Sequence, residues 1–202
     1  MKNTTPPAQP DTRPAIAAFG DSLTEGFGAD PSRSYPAVLQ RELDRRGLGY
    51  RVVNLGVSGE TSTNGLARVG GVIALHPAVV ILEFGANDGL RGIPVAVTRA
   101  NLASMIGQLE AAGARVLLAG MTLPPNYGPE YIHGFEGIYK GLAGKYNVPL
   151  IPFLLAGVAG DARYMQPDGL HPNAAGYARV AQTVLGALAS VLAGQERLPR
   201  GR

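Results

Sequence analysis

Five short apolar runs punctuate the chain, at residues 15–19, 51–55, 79–84, 115–119 and 148–151. Each is rich in Val, Ile, Leu or Ala and is closed by Gly, Asn or Pro. Runs without polar alternation mark strands buried on both faces, as in a parallel sheet. Between them lie helix-length segments at 35–46, 64–75, 94–112 and 130–146, with a last one at 174–193. In the first of these, Val38, Leu39 and Leu43 recur with helical spacing while Arg41, Glu42 and Arg45 fall on the other side.

The boundaries carry their own signals. Gly47 and Gly113 follow helical patterns where a left-handed residue closes a helix. Pro77 stops the helix before Val79, and Pro94 suits a first helical turn. Strand and helix alternate throughout, which predicts an α/β fold: a three-layer α/β/α sandwich around a five-stranded parallel sheet. A single domain over residues 14–194 is expected, flanked by a flexible polar, Pro-rich lead-in at 1–13 and a flexible tail at 195–202. No internal repeat is visible.

Composition narrows the function. The chain has 202 residues and 46% hydrophobic content, enough for one substantial core. The net charge of +3 is a small surplus of scattered arginines, with no basic run interleaved with aromatics, so nucleic acid is not an expected partner. The absence of cysteine excludes disulfides, thiolate metal sites and a cysteine nucleophile. The 174–193 segment is interrupted by Arg179, Gln182 and Ser190 and reads as a packed helix, so stable membrane insertion is not expected. Residues 1–14 contain Lys2 but no apolar stretch of the signal-peptide kind. The compartment stays open between cytoplasm and, where a signal has been removed, periplasm or medium.

Four separated segments then bring in chemistry: Gly20-Asp21-Ser22-Leu23, Gly56-Val57-Ser58-Gly59, Gly85-Ala86-Asn87-Asp88 and Asp168-Gly169-Leu170-His171. The first three follow the first three strands, so in an open parallel sheet they emerge at one edge, where such folds bind ligands. Ser22 is the candidate nucleophile, which needs a neighbouring base to take its proton; the same position also suits a helix or turn cap. Of the three histidines, His76 precedes Pro77 and His133 lies within a helical segment with no acid partner. His171 alone has an acid in a tight local turn, Asp168, spaced to hold one ring nitrogen and leave the other for Ser22.

The Ser22 and Gly59 backbone amides and the Asn87 side chain are candidate donors to an oxyanion. Gly59 and Asn87 are equally compatible with turn formation. Asp21 and Asp88 are assigned to bonding loop backbone. Ser58 is a rival nucleophile, although its segment lacks the Gly-x-Ser-x-Gly elbow. Gly26-Phe27-Gly28 lacks the third glycine of a dinucleotide fingerprint, and no phosphate loop or His/Cys cluster points to a nucleotide or metal.

Together the four segments resemble the blocks of the SGNH, or GDSL, hydrolase superfamily, with the match on Ser22, Gly59, Asn87 and His171 and with Asp168 as the third triad member. Within it the chain is similar to the bacterial thioesterase I/lysophospholipase and arylesterase group, through residues 20–29, 52–69, 81–92, 123–131 and 165–177. The resemblance implies a flavodoxin-like sheet, an acyl-serine intermediate, no cofactor, and small acyl esters or thioesters as substrates. It also places the 123–131 loop beside the acyl groove, making Pro124, Asn126 and Tyr127 secondary substrate-contact candidates. Carbohydrate O-deacetylation is an alternative that the absence of Trp ranks lower. A non-catalytic flavodoxin-like binding module would use the same strand ends without needing Asp168 and His171. The oligomeric state is left open.

Overall fold

The computed structural model describes residues 11–193. Most of the expected lead-in and tail therefore lies outside the described residues. At the described start, Arg13 pairs with Asp11 and Asp44, each at 2.7 Å.

Five parallel strands form one sheet: β1 (Ala15–Gly20), β2 (Arg51–Gly56), β3 (Val79–Glu83), β4 (Arg115–Ala119) and β5 (Leu150–Ile151). Their spatial order is β2-β1-β3-β4-β5. Every residue of β1 and β3 is buried, which is why both read as apolar runs, β3 up to its terminal Glu83. The edge strand β2 is only half-buried, and there Asn54 is exposed. At the other edge β5 is shorter than the apolar run predicts: Pro149 and Pro152 flank it and have no N–H to donate.

The helices are α1 (Ser22–Glu25), α2 (Tyr35–Arg45), α3 (Ser62–Ile73), α4 (Ala86–Leu90), α5 (Val95–Ala111), α6 (Pro129–Tyr146) and α7 (Ala174–Ala193). α2 packs on α7, while α3, α5 and α6 pack in series, so the long helices cover the sheet in two layers. The core runs through the sheet, with Phe19, Phe84, Leu102, Phe135 and Tyr177 fully buried. α3 begins two residues before the predicted start, because the Asn64 side chain reaches back to the Thr61 N–H at 3.0 Å. The short helices α1 and α4 were not apparent in the sequence pattern.

This strand order has one consequence for function. The chain leaves β1 toward β2, then crosses back to β3 on the other side. The loops after β1 and β3 thus diverge and open a crevice at their carboxyl ends.

Candidate active site

Ser22 stands at the mouth of that crevice. The chain leaves β1 at Gly20, and Asp21 caps α1 by accepting the Leu23 N–H at 3.0 Å. Ser22 is thereby the first residue of a four-residue helix, nearly buried at 8% exposure. Among the described residues, its backbone N–H and that of Gly59 meet no acceptor.

The base comes from the far end of the chain. Asp168 Oδ1 accepts the backbone N–H groups of Leu170 (2.9 Å) and His171 (3.0 Å), which winds the turn. Its other oxygen meets His171 Nδ1 at 2.7 Å, and His171 Nε2 meets Ser22 Oγ at 3.0 Å, across 149 residues of sequence. Partial burial pushes the Asp168 carboxyl up, but the backbone and ring bonds from His171 and the Leu170 amide outweigh it and hold the group at about 2. An ionised carboxylate only accepts, so Nδ1 carries the ring proton and Nε2 presents its lone pair to the serine hydroxyl. The Phe27 ring lies 4.6 Å from the imidazole and limits its rotation.

Asn87 is the second residue of α4. Its Nδ2 donates to Asp21 Oδ2 (3.1 Å) and to the Glu60 carbonyl (2.9 Å). Asn87 thus ties the loop after β2 to the loop after β1. Gly59 sits one residue from that tie, exposed, with its carbonyl accepting Arg91 Nη2 at 2.8 Å, and it is not among the walls of the cavity beside Ser22. Asp21 and Asp88 bond the first turns of helices rather than loop backbone, and side chains besides: Asp88 Oδ2 accepts the Ser62 N–H of α3 at 2.8 Å, and its Oδ1 accepts the Ser62 and Thr98 hydroxyls. Ser58 is exposed and held by Glu25, and the imidazole nitrogens bond Asp168 and Ser22 instead.

Beside Ser22 the crevice deepens into a cavity of about 480 Å³. Leu23, Leu90, Met121, Leu123, Phe153 and Leu155 are among its walls, and the lining includes no Asp, Glu, Lys or Arg. Of the three loop candidates, Pro124 lines it and the other two do not. Asn126 is exposed, and Tyr127 turns away to donate its hydroxyl proton to the Leu90 carbonyl at 2.8 Å. No group of three or more His, Cys, Asp or Glu side chains among the described residues is arranged to hold a metal ion.

Residues 18–179 match the model of the GDSL-like lipase/acylhydrolase family. The chain belongs to this family. It is 45% identical over 170 residues to esterase TesA of Pseudomonas aeruginosa, covering 84% of this chain and 85% of that one. It is 41% identical over 159 residues to thioesterase 1/protease 1/lysophospholipase L1 of Escherichia coli K12, covering 78% and 75%. A crystal structure of TesA superposes with a TM-score of 0.84 at 44% identity, over 86% of this chain and 97% of that one.

Two residues of this GDSL-family site escaped the sequence reading. Glu83 closes β3 beneath Ser22, and Gln166 braces the His171 turn. Glu83 had a signal, since an acid ending an otherwise apolar buried strand needs a partner. Gln166 had none, because its partners are backbone carbonyls brought close only by the fold.

Proposed function

We propose that the chain is a serine esterase that hydrolyses carboxylic esters and thioesters through an acyl group carried on Ser22. His171 is the general base and Asp168 its orienting acid. The carrying observation is the 3.0 Å contact between Ser22 Oγ and His171 Nε2, backed by the 2.7 Å contact to Asp168, at the mouth of an apolar cavity. Esterase and thioesterase relatives at 41–45% identity support the same reading.

In the first step Nε2 takes the hydroxyl proton as Oγ attacks the acyl carbon. The carbonyl oxygen becomes an oxyanion, for which the Ser22 and Gly59 N–H groups and Asn87 Nδ2 are the proposed donors. Removing one such donor typically costs about 10²–10³ in rate. Both Asn87 N–H groups have acceptors already, so its service to an oxyanion means giving up the Glu60 carbonyl. The imidazolium then protonates the leaving alcohol or thiol as the ester bond breaks. Water, deprotonated by the same imidazole, attacks acyl-Ser22 and releases the acid. The cavity walls accept the acyl chain, and the neutral lining disfavours charged acyl groups.

Initial rates with p-nitrophenyl esters and acyl-CoA thioesters test this. Wild type should turn over both, and Ser22→Ala should lose at least about 10³-fold in kcat. Undiminished rates in Ser22→Ala would contradict the reading and turn attention to Ser58.

A further inference from the structure

We propose that Glu83 is a positioning residue for this site: with Asp21 it forms a buried acid pair holding one shared proton, and that proton keeps the Ser22 loop and Asn87 in place. The inference rests on the esterase reading for its catalytic consequence; the buried proton does not depend on that reading.

Glu83 ends β3 directly opposite Gly20 of β1 and is fully buried. Its Oε2 accepts the Asp21 N–H at 3.2 Å and the Thr24 hydroxyl at 2.8 Å. Its Oε1 is buried and has no partner among the described residues. Asp21, also fully buried, accepts Leu23 N–H on one oxygen and Asn87 Nδ2 on the other. Both carboxyls are fully buried, and that of Glu83 bonds the main chain of Asp21 itself. Two acids buried side by side, one with an oxygen that no donor reaches, keep a proton on one of them rather than both ionising. Glu83 thus supports the peptide on the N-terminal side of Ser22, and Asp21 supports both the peptide on its other side and Asn87.

Gly20 shows how tightly the parts fit. A Cβ there would stand 2.4 Å from Glu83 Oε2 and 2.2 Å from Thr24 Oγ1. The glycine before the nucleophile loop is required by the approach of the buried acid.

Among the described residues no cation bonds Glu83. Arg68 of α3 lies over the Phe19 ring at 4.5 Å and donates to Glu60 (2.6 Å) and the Gly20 carbonyl (3.0 Å), with no bond to Glu83. Tyr35 of α2 reaches only Thr24, at 3.3 Å, and Tyr139 of α6 donates to the Phe84 carbonyl at 3.0 Å. Tyr177 of α7 donates to the Phe27 carbonyl at 3.2 Å, and burial keeps all three phenols neutral. Asp88 of α4 is held by the Ser62 amide and hydroxyl and the Thr98 hydroxyl, while His171 lies on the Asp21 side. Burial pushes both acids of the pair upward, Glu83 well above the usual carboxylate range, with the Asp21 charge the next contributor.

The native pair therefore keeps a proton that an unfolded glutamate releases near its ordinary pKa of about 4.3. Where the native state binds the extra proton, the folded-to-unfolded ratio falls by up to about tenfold per pH unit as pH rises. Glutamine reproduces the protonated acid without titrating. Urea unfolding of wild type and Glu83→Gln between about pH 5 and 8 should show that slope in wild type, flattened by about one proton in the variant. In parallel, Glu83→Gln should keep kcat within about fivefold, while Glu83→Leu, which cannot hold the Asp21 N–H, should lose about 10²-fold in kcat with KM little changed. Equal pH slopes in wild type and Glu83→Gln, or a Gln variant as inactive as the Leu one, would overturn the proposal. A wild type inert toward all esters would sink the esterase reading instead, and the unfolding slopes would still decide the acid pair.

Discussion

Gln166 Nε2 donates a 2.7 Å hydrogen bond to the carbonyl of Phe27, joining loops 139 residues apart. The same amide donates to the Pro172 carbonyl at 2.8 Å, and the Gln166 N–H donates to the His171 carbonyl at 2.8 Å. One side chain thus clasps the base-bearing turn to the segment that follows Ser22. Gly28 makes room for it: at φ +73°, a Cβ there would stand 2.1 Å from Gln166 Oε1.

Gln166→Leu removes the clasp while keeping the bulk. Displacing a reacting group by about 1 Å costs about 10²-fold in rate. A tenfold to hundredfold loss in kcat, roughly, is expected, with KM nearly unchanged because Gln166 does not line the cavity. Steady-state kinetics with one p-nitrophenyl ester checks it; a change confined to KM would contradict the clasp.

Asp168→Asn tests the orienting acid. It leaves the turn's shape possible but removes the charge that fixes the imidazole tautomer, so a kcat loss of about 10²–10⁴ is expected. The same substitution has a signature in stability. The native carboxyl is held at about 2, below its ordinary value of 3.8. Its contribution is therefore present above about pH 4 and is lost as pH falls toward 2. Thermal melts across that window should decline less steeply in the Asn variant. Parallel declines would mean that the native carboxylate is not specially stabilised.

Ala159 lines the cavity beside Leu155. Ala159→Phe places a ring in the proposed acyl site, and each methylene excluded from an apolar pocket costs about 1–3 kcal/mol. Hydrolysis of p-nitrophenyl laurate should fall at least about tenfold relative to the acetate. Equal loss on acetate and laurate would separate the cavity from the acyl chain.

The sheet was legible because β1 and β3 are buried on both faces and show no polar alternation, and because glycines end the apolar runs where the chain turns. Ser22, Asn87, Asp168 and His171 were legible because each follows such a boundary or sits in a tight local turn. The two short helices that carry Ser22 and Asn87 were not, since four or five residues hold too little periodicity. Tyr127 is a secondary substrate-contact candidate by resemblance, and the partner of its hydroxyl, a backbone carbonyl of α4, is one that only the fold brings within reach. The Asp21–Glu83 pair shows the same limit, because its members meet across neighbouring strands 62 residues apart in sequence.

The most direct measurement is covalent. Treating the protein with a fluorophosphonate forms a phosphorus–oxygen bond to an activated serine and expels fluoride. Peptide mapping by mass spectrometry should find one label per chain, on Ser22, with ester hydrolysis lost in proportion and no label in His171→Ala. A label on Ser58 instead, or full ester hydrolysis with Ser22 unmodified, would contradict the account.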